Sequence, residues 1–560
     1  MNRLDFRIDV EGRHAVCLAI TPKLGPHLET WTRSDEGGWR PRRVLCRARH
    51  PQMLPMAGGR ILVHDTADPA VRVFDGDEPP ARLDVPAGFR FLHAPCAERP
   101  GLAIVHTSRD SEIWCFHDHE PALTARVASI PGLLQTVLPL EPDWGLLAAD
   151  RCEFVGGPRE VVAIDLGDGS YSTLLDRGGV LITHPGSGLV VVEVSGRTGW
   201  TTIGSGLPVR FPETLNPGGD PVRPLAVSPA GDRLLVHRLD GVRSTLAFYD
   251  LAEDSLTSVD LPPGVVRAPA RWTPDGLSFV FSTPAGPPRI VDLERLSTED
   301  SPVHVQALGG AEAIVYGGPD WRDNPRLVLA LHGGPLLAWL YEYSPLLHQI
   351  AATGAAIVAP NQRGSTGYGR AHADAIIGDL GGPDLDDVMA IAADLQHYRD
   401  RHGLPPLRLL GESYGGYLAL LAAARAPWDR CAVLAPFLSP RRLHADGGPG
   451  VRALIDTIAG SADRDVLETC ADITAPLLIV HGTEDDVVPV NHSRTLVSRL
   501  RRLGKDFRYV EIRDHGHEPA DDPHAAAEIV AFLTEPPDRP SSSKEVNIHE
   551  RSHRGTAADR

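Results

Sequence analysis

The sequence is short of lysine, of aromatic residues and of long apolar runs. Lys23, Lys505 and Lys544 are the only lysines among 55 basic residues, which face 73 acidic ones for a formal charge of −18. A chain this acidic lacks the basic surface that a nucleic-acid groove needs, so no nucleic-acid partner is expected and the excess charge reads as solubility. No run of about 18 apolar residues occurs, and Met1-Asn2-Arg3-Leu4-Asp5-Phe6-Arg7 has no apolar core for a secretory signal. A soluble, cytoplasmic chain with no membrane partner is therefore expected. Seven cysteines (Cys17, Cys46, Cys96, Cys115, Cys152, Cys431, Cys470) are odd in number and scattered, so neither a disulfide framework nor a zinc site is expected. At 560 residues the chain exceeds one hydrophobic core, and two domains are expected.

What is present is concentrated between residues 332 and 517. In chain order stand His332-Gly333-Gly334-Pro335, Gly411-Glu412-Ser413-Tyr414-Gly415, Asp485 in His481-Gly482-Thr483-Glu484-Asp485, and His517 in Asp514-His515-Gly516-His517. The order of oxyanion loop, nucleophile, acid and base is the one an α/β-hydrolase requires. A lone Gly-x-Ser-x-Gly is a weak signal, but here Leu407-Arg408-Leu409-Leu410 reads as a buried strand before it and Tyr414 to Ala426 as a helix after it. Such a strand-to-helix turn crowds its flanks, which calls for glycine at 411, 415 and 416, and leaves Ser413 at a helix N-terminus.

A serine hydroxyl needs a base within reach and a carboxylate to orient that base. The loop after the strand-like Leu477-Leu478-Ile479-Val480 carries Glu484, Asp485 and Asp486. The loop after Phe507 to Ile512 carries Asp514, His515 and His517. In an open α/β sheet both loops fall at the nucleophile's edge, and spacing alone does not choose among three acids and two histidines. For the oxyanion, the N–H of Tyr414 and one from the Gly333-Gly334 loop are the expected donors.

These segments resemble the prolyl oligopeptidase family of serine peptidases, most closely its acylaminoacyl peptidase-like branch. The resemblance covers residues 325 to 535. It rests on the His332 loop with Trp339, on Pro360 to Gly369, on Gly378 to Gly382 with Asp384 and Asp387, on Gly411 to Tyr417, and on His481-Gly482 to Val488-Pro489. It implies Asp485 as the acid and His517 as the base, with His515 as the alternative base. It implies no cofactor and no metal. Where relatives often read Asn-Tyr-Arg this chain reads Asn361-Gln362-Arg363, so a change in pocket shape is expected if the aromatic contributes to it. Glu412 is expected to point to solvent rather than attract an amino group.

Residues 1–300 carry a repeat instead of motifs. Pro55, Pro95, Pro142, Pro185, Pro229 and Pro274 recur at intervals of 40, 47, 43, 44 and 45 residues, a period that fits a four-stranded propeller blade. The clearest copies are Val227 to Val236 and Trp272 to Val280, each a turn leading into an apolar strand, and similar runs at His14 to Ile20, Arg60 to His64, Leu102 to His106, Leu146 to Asp150 and Leu189 to Val194 bring the count to seven. A pair of β-sandwiches is the competing architecture, and the resemblance favours the propeller. The expectation is thus an all-β, seven-bladed propeller over 1–300, an α/β-hydrolase catalytic domain over 301–535, and a disordered tail over 536–560.

The functional expectation is a serine peptidase acting on short peptides or acyl-peptides through an acyl-enzyme, with the propeller restricting access. The alternatives are an esterase or acyltransferase/biosynthetic hydrolase acting on a small acylated metabolite, and a non-catalytic propeller that binds partners. A homo-oligomer is left open.

Overall fold

The computed structural model describes all residues except 1, 22–24, 35, 45–50, 66–69, 77, 94–99, 118–122, 220–221, 537–543 and 549–560. The chain divides into two units, Met1–Glu299 and Asp300–Arg560.

The N-terminal unit is a seven-bladed β-propeller. Its blades are antiparallel sheets over residues 2–44, 51–84, 89–131, 133–175, 179–202, 223–259 and 265–292; the fifth and seventh have three strands among the described residues and the rest four. Each of the seven apolar runs read from the sequence lies on the second strand of its blade. These strands are buried along most of their length, as in His14–Thr21 and Gly276–Thr283, because each is covered on both faces by neighbouring blades. Pro142, Pro185, Pro229 and Pro274 lie in turns leading into those strands and Pro55 ends the strand before one; Pro95 lies outside the described residues.

Separate apolar clusters fill each gap between blades, and one closes the ring, joining Phe6, Ile8, Ala15, Cys17 and Trp31 of the first blade to Val280 and Ile290 of the last. Asp292 fastens the same seam. It accepts hydrogen bonds from Gly38 N (3.0 Å) and Trp39 Nε1 (3.3 Å), and Arg33 lies 3.3 Å away.

The C-terminal unit is built on one nine-stranded sheet. Its strands are β1 (His304–Leu308), β2 (Ala311–Tyr316), β3 (Leu327–Leu331), β4 (Ala356–Pro360), β5 (Arg408–Glu412), β6 (Arg430–Leu434), β7 (Leu477–Gly482), β8 (Phe507–Ile512) and β9 (Lys544–Ile548). They lie in the order β1-β2-β4-β3-β5-β6-β7-β8-β9, parallel from β4 onward. β3, β4 and β6 are buried at every position, as expected for parallel strands covered on both faces. The helices include α1 (Pro345–Ala352), α2 (Pro383–His402), α3 (Tyr414–Ala423), α4 (Asn491–Arg502) and α5 (Pro523–Thr534). This is the α/β-hydrolase arrangement, with β3, β5, β7 and β8 each delivering a loop to one edge of the sheet.

One expectation is corrected in part. Within the tail assigned to disorder, Lys544–Ile548 pairs in parallel with β8 from Arg508↔Lys544 to Ile512↔Ile548. An open strand edge offers main-chain groups to any extended segment, so the polar composition of the tail did not exclude pairing. The rest of that tail, 537–543 and 549–560, lies outside the described residues. Among the described cysteines, Cys17, Cys115, Cys152, Cys431 and Cys470 are free thiols, while Cys46 and Cys96 lie outside them. Among the described residues no helix is long and apolar enough to cross a membrane.

Candidate active site

Ser413 stands at the sharp turn between β5 and α3. Its backbone lies at φ 52°, ψ −115°, a conformation that costs a non-glycine residue about 1–3 kcal/mol and persists only where its surroundings impose it. The surroundings are visible. Ser413 N donates to Leu434 O on β6 at 2.7 Å, and Tyr417 N donates to Ser413 O at 3.0 Å. A Cβ on Gly411 would sit 2.1 Å from Gly415 O, and one on Gly415 would sit 2.3 Å from Leu331 O and 2.5 Å from His332 O. The glycines predicted from the crowding of the turn are therefore required by backbone carbonyls, which cannot move aside as a side chain can. Gly415→Ala is expected to lower stability by about 1–3 kcal/mol, read as a fall in Tm, because the helix must shift away from the end of β3.

The loop after β7 brings Asp485 and the loop after β8 brings His517 to the same point. His517 Nε2 lies 2.9 Å from Ser413 Oγ, and His517 Nδ1 lies 2.7 Å from Asp485 Oδ2. Asp485 is buried, and its second oxygen accepts from Val487 N (2.9 Å) and Val488 N (2.8 Å). Burial alone would raise its pKa, but hydrogen bonds from His481 and His517, with Val488, outweigh burial and hold it well below the usual carboxylate range. An ionised carboxylate on Nδ1 fixes the tautomer in which Nε2 is free to accept.

For His517 the balance runs the other way: burial disfavours its charged form, yet the hydrogen bond and charge of Asp485 prevail and raise its pKa above the ordinary 6.5. Protonated imidazole cannot take a proton from Ser413. Activity carried by this histidine is therefore expected to fall as pH drops, with the acid limb of a kcat/KM profile on an uncharged substrate centred above pH 6.5. A midpoint below that value would contradict it. His515, the alternative base, is not at the site. Its Nε2 faces Glu518 O at 2.9 Å, because Gly516 lets the chain turn between the two histidines and only one can face Ser413.

The glycine-rich loop after β3 lies against the turn: a Cβ on Gly333 would be 3.4 Å from Ser413 Cβ, and Gly334 has φ +52°. Its conformation is set by His332, whose ring is buried and whose pKa is pushed down to about 4 by that burial. His332 Nδ1 lies 2.9 Å from Gly333 O and its Nε2 2.9 Å from Ser365 Oγ, whose hydroxyl also donates to Gln362 O at 2.7 Å. Opposite stands Tyr414, the first residue of α3, whose N–H has no intrahelical acceptor. Its hydroxyl donates to buried Asp384 and accepts from Gly381 N at 3.2 Å. Of the three expected oxyanion residues, Gly333 and Gly334 line the same cavity as Ser413, and Tyr414 directly follows Ser413 in the chain.

A cavity of about 490 Å³ opens on Ser413 and His517, with all its lining residues in the C-terminal unit. Ile314, Tyr316, Leu337, Trp339, Tyr343 and Val487 give it apolar walls. Trp339 is locked by Asn361, which accepts from Trp339 N at 2.7 Å and donates to Trp339 O at 2.9 Å, while Trp339 Nε1 donates to Ala330 O at 2.9 Å. Arg363 grips Asp387 through a two-pronged ion pair, with 2.7 Å between Nη2 and Oδ1. Gln362, between them, is buried and is not among the lining residues; the substitution there does not reshape this cavity directly. Glu412 departs from its expectation. It lines the cavity instead of pointing to solvent, and its carboxyl is paired with that of Glu518.

Two functional contributors escaped sequence reasoning. His481, buried on β7, lies 3.1 Å from Asp485 Oδ2 by its Nε2 and 2.7 Å from Ser493 Oγ by its Nδ1, which gives Asp485 a second histidine. Asp384 anchors Tyr414. Both lie in segments singled out for their resemblance, but nothing in their local spacing indicates a role.

Residues 341–536 match the model of the prolyl oligopeptidase family. Among related sequences, the Bacillus subtilis protein "Uncharacterized peptidase YuxL" is 29% identical over 294 residues, covering 48% of this chain and 44% of that protein. Dipeptidyl aminopeptidase BIII of Pseudoxanthomonas mexicana is 27% identical over 210 residues, 34% of this chain and 30% of that protein. The chain spans less than half the length of these relatives. Solved structures match along its whole course: a Mycobacterium tuberculosis puromycin-hydrolyzing peptidase (TM-score 0.69, 18% identity, 97% of this chain and 96% of that one) and Pyrococcus horikoshii acylaminoacyl peptidase (TM-score 0.74, 12% identity, 95% and 94%). The fold, the family model and the motifs of the turn agree, and residues 341–536 of this chain belong to the prolyl oligopeptidase family.

Proposed function

We propose that the protein is a serine peptidase that hydrolyses short peptides or acyl-peptides through an acyl-enzyme. The observation that carries this reading is the unbroken hydrogen-bonded line from Ser413 Oγ through His517 to Asp485, at 2.9 and 2.7 Å, on the wall of an apolar cavity. In the proposed cycle Ser413 attacks the scissile carbonyl as His517 Nε2 takes its proton. Asp485 stabilises the imidazolium, and Tyr414 N–H with the Gly333-Gly334 loop holds the oxyanion. His517 then protonates the leaving amine, and water, activated by the same imidazole, releases the acyl group. The propeller in the same chain is proposed to restrict access, so that short peptides are cleaved and folded proteins are not.

The test is hydrolysis of a peptide library beside esters bearing the same acyl groups. The peptidase reading expects cleavage of peptide bonds with a kcat/KM that falls as folded proteins replace short peptides. Cleavage of the esters alone, with every peptide left intact, would contradict it.

A further inference from the structure

We propose that the Glu412–Glu518 carboxyl pair beside Ser413 selects substrates that carry a cationic group close to the scissile acyl carbonyl. The inference rests on the hydrolase reading above. Ser413 fixes where that carbonyl must sit, which makes the cavity a ligand site on grounds independent of its charge.

The charge of the lining is one-sided. Glu342, Glu412 and Glu518 lie on the cavity and, among the described residues, no lysine or arginine does, while its two histidines are engaged, His332 with Ser365 and His517 with Asp485. Glu412 immediately precedes Ser413, and Glu518 immediately follows His517. The two carboxyls therefore stand on the two loops that carry the reacting residues, and both line the cavity with Ser413 and His517. Burial, then the charge and hydrogen bond of Glu518, then Asp521, hold the Glu412 carboxyl well above its ordinary pKa. A bound ammonium or guanidinium favours the ionised carboxyls and donates charge-assisted hydrogen bonds to their oxygens. An anionic group in the same place meets the carboxyls of Glu412 and Glu518.

Two positions on a substrate supply such a cation within reach of the scissile carbonyl. One is the unblocked α-ammonium of the acyl residue, carried on the carbon next to the carbonyl; the other is a lysine or arginine side chain on that residue. The surrounding apolar walls leave room for an uncharged side chain in the first case and for an alkyl stem in the second.

The experiment compares kcat/KM for four aminoacyl amides with a common fluorogenic leaving group: leucyl, N-acetyl-leucyl, N-acetyl-lysyl and N-succinyl-leucyl. The unaltered chain is expected to turn over leucyl or N-acetyl-lysyl at least about 10-fold faster than N-acetyl-leucyl, with N-succinyl-leucyl slowest. Which of the two cations is preferred identifies the source. Glu412→Gln is expected to lower the ratio of cationic to neutral turnover by about 10-fold. Glu518→Gln, on the other loop, must move the ratio the same way, which separates recognition from a disturbed turn at Ser413. Turnover with N-acetyl-leucyl fastest, or a ratio unmoved by both variants, overturns the inference and leaves the peptidase reading standing. No turnover of any of the four, with Ser413 unreactive, overturns both.

Discussion

Replacing Ser413 with alanine is expected to lower kcat by about 10⁵–10⁶-fold while Tm and circular dichroism stay close to those of the unaltered chain. Alanine adopts φ 52° at much the same cost as serine, and the turn is held by main-chain bonds from Ser413 N and Ser413 O that the substitution keeps. What disappears is the hydroxyl 2.9 Å from His517 Nε2. Cavity binding and the oxyanion donors remain, so a residue of catalysis over the uncatalysed reaction, about 10³–10⁴-fold, is expected to survive. The measurement is kcat on a peptide substrate with the folded fraction determined on the same sample. Activity within a few-fold of the unaltered chain would remove Ser413 from the reaction.

Asp485→Asn should be nearly as severe, lowering kcat by about 10⁴-fold. The carboxylate holds His517 Nδ1–H at 2.7 Å and is itself tied down by Val487 N, Val488 N and His481. An amide in the same frame turns a donor toward His517 Nδ1. The imidazole then carries its proton on Nε2, facing Ser413, and cannot accept another. The defect is one of tautomer, so geometry and KM are expected to change little and kcat to carry the loss. A loss confined to KM would contradict the role assigned to Asp485.

The three residues of this line were legible because each follows a strand-like segment of the sequence, and because the turn around Ser413 admits glycine where Leu331 O and His332 O press against it. The choice of His517 over His515 was not legible from spacing; it came from the family resemblance, and in the structure His517 meets Ser413 Oγ while His515 meets Glu518 O. In the propeller the second strand of every blade was legible because it is buried on both faces. The outer strands were not: Trp39–Val44, Ala81–Asp84 and Tyr171–Leu175 are largely exposed and carry no apolar alternation to read. Lys544–Ile548 was missed because a strand added at a sheet edge is specified by its neighbour's main chain.

Glu412 is the instructive failure. A carboxylate beside a catalytic serine is ordinarily solvated, and only the return of the chain at Glu518, more than a hundred residues later, places a second carboxyl against it. Cavity walls are likewise assembled from Ile314, Trp339 and Val487, three segments whose proximity exists only in the folded chain. Trp339 could be noted in the sequence, but its fixation by both amide groups of Asn361 could not.

The most direct test of the account is reaction of the purified chain with a fluorophosphonate, followed by peptide mapping, beside Ser413→Ala and His517→Ala. The account predicts one adduct per chain, on Ser413, absent in Ser413→Ala and strongly slowed in His517→Ala, because the probe reports an activated hydroxyl and its base together. A folded, unaltered chain that takes up no probe, or takes it up at another serine, would contradict it.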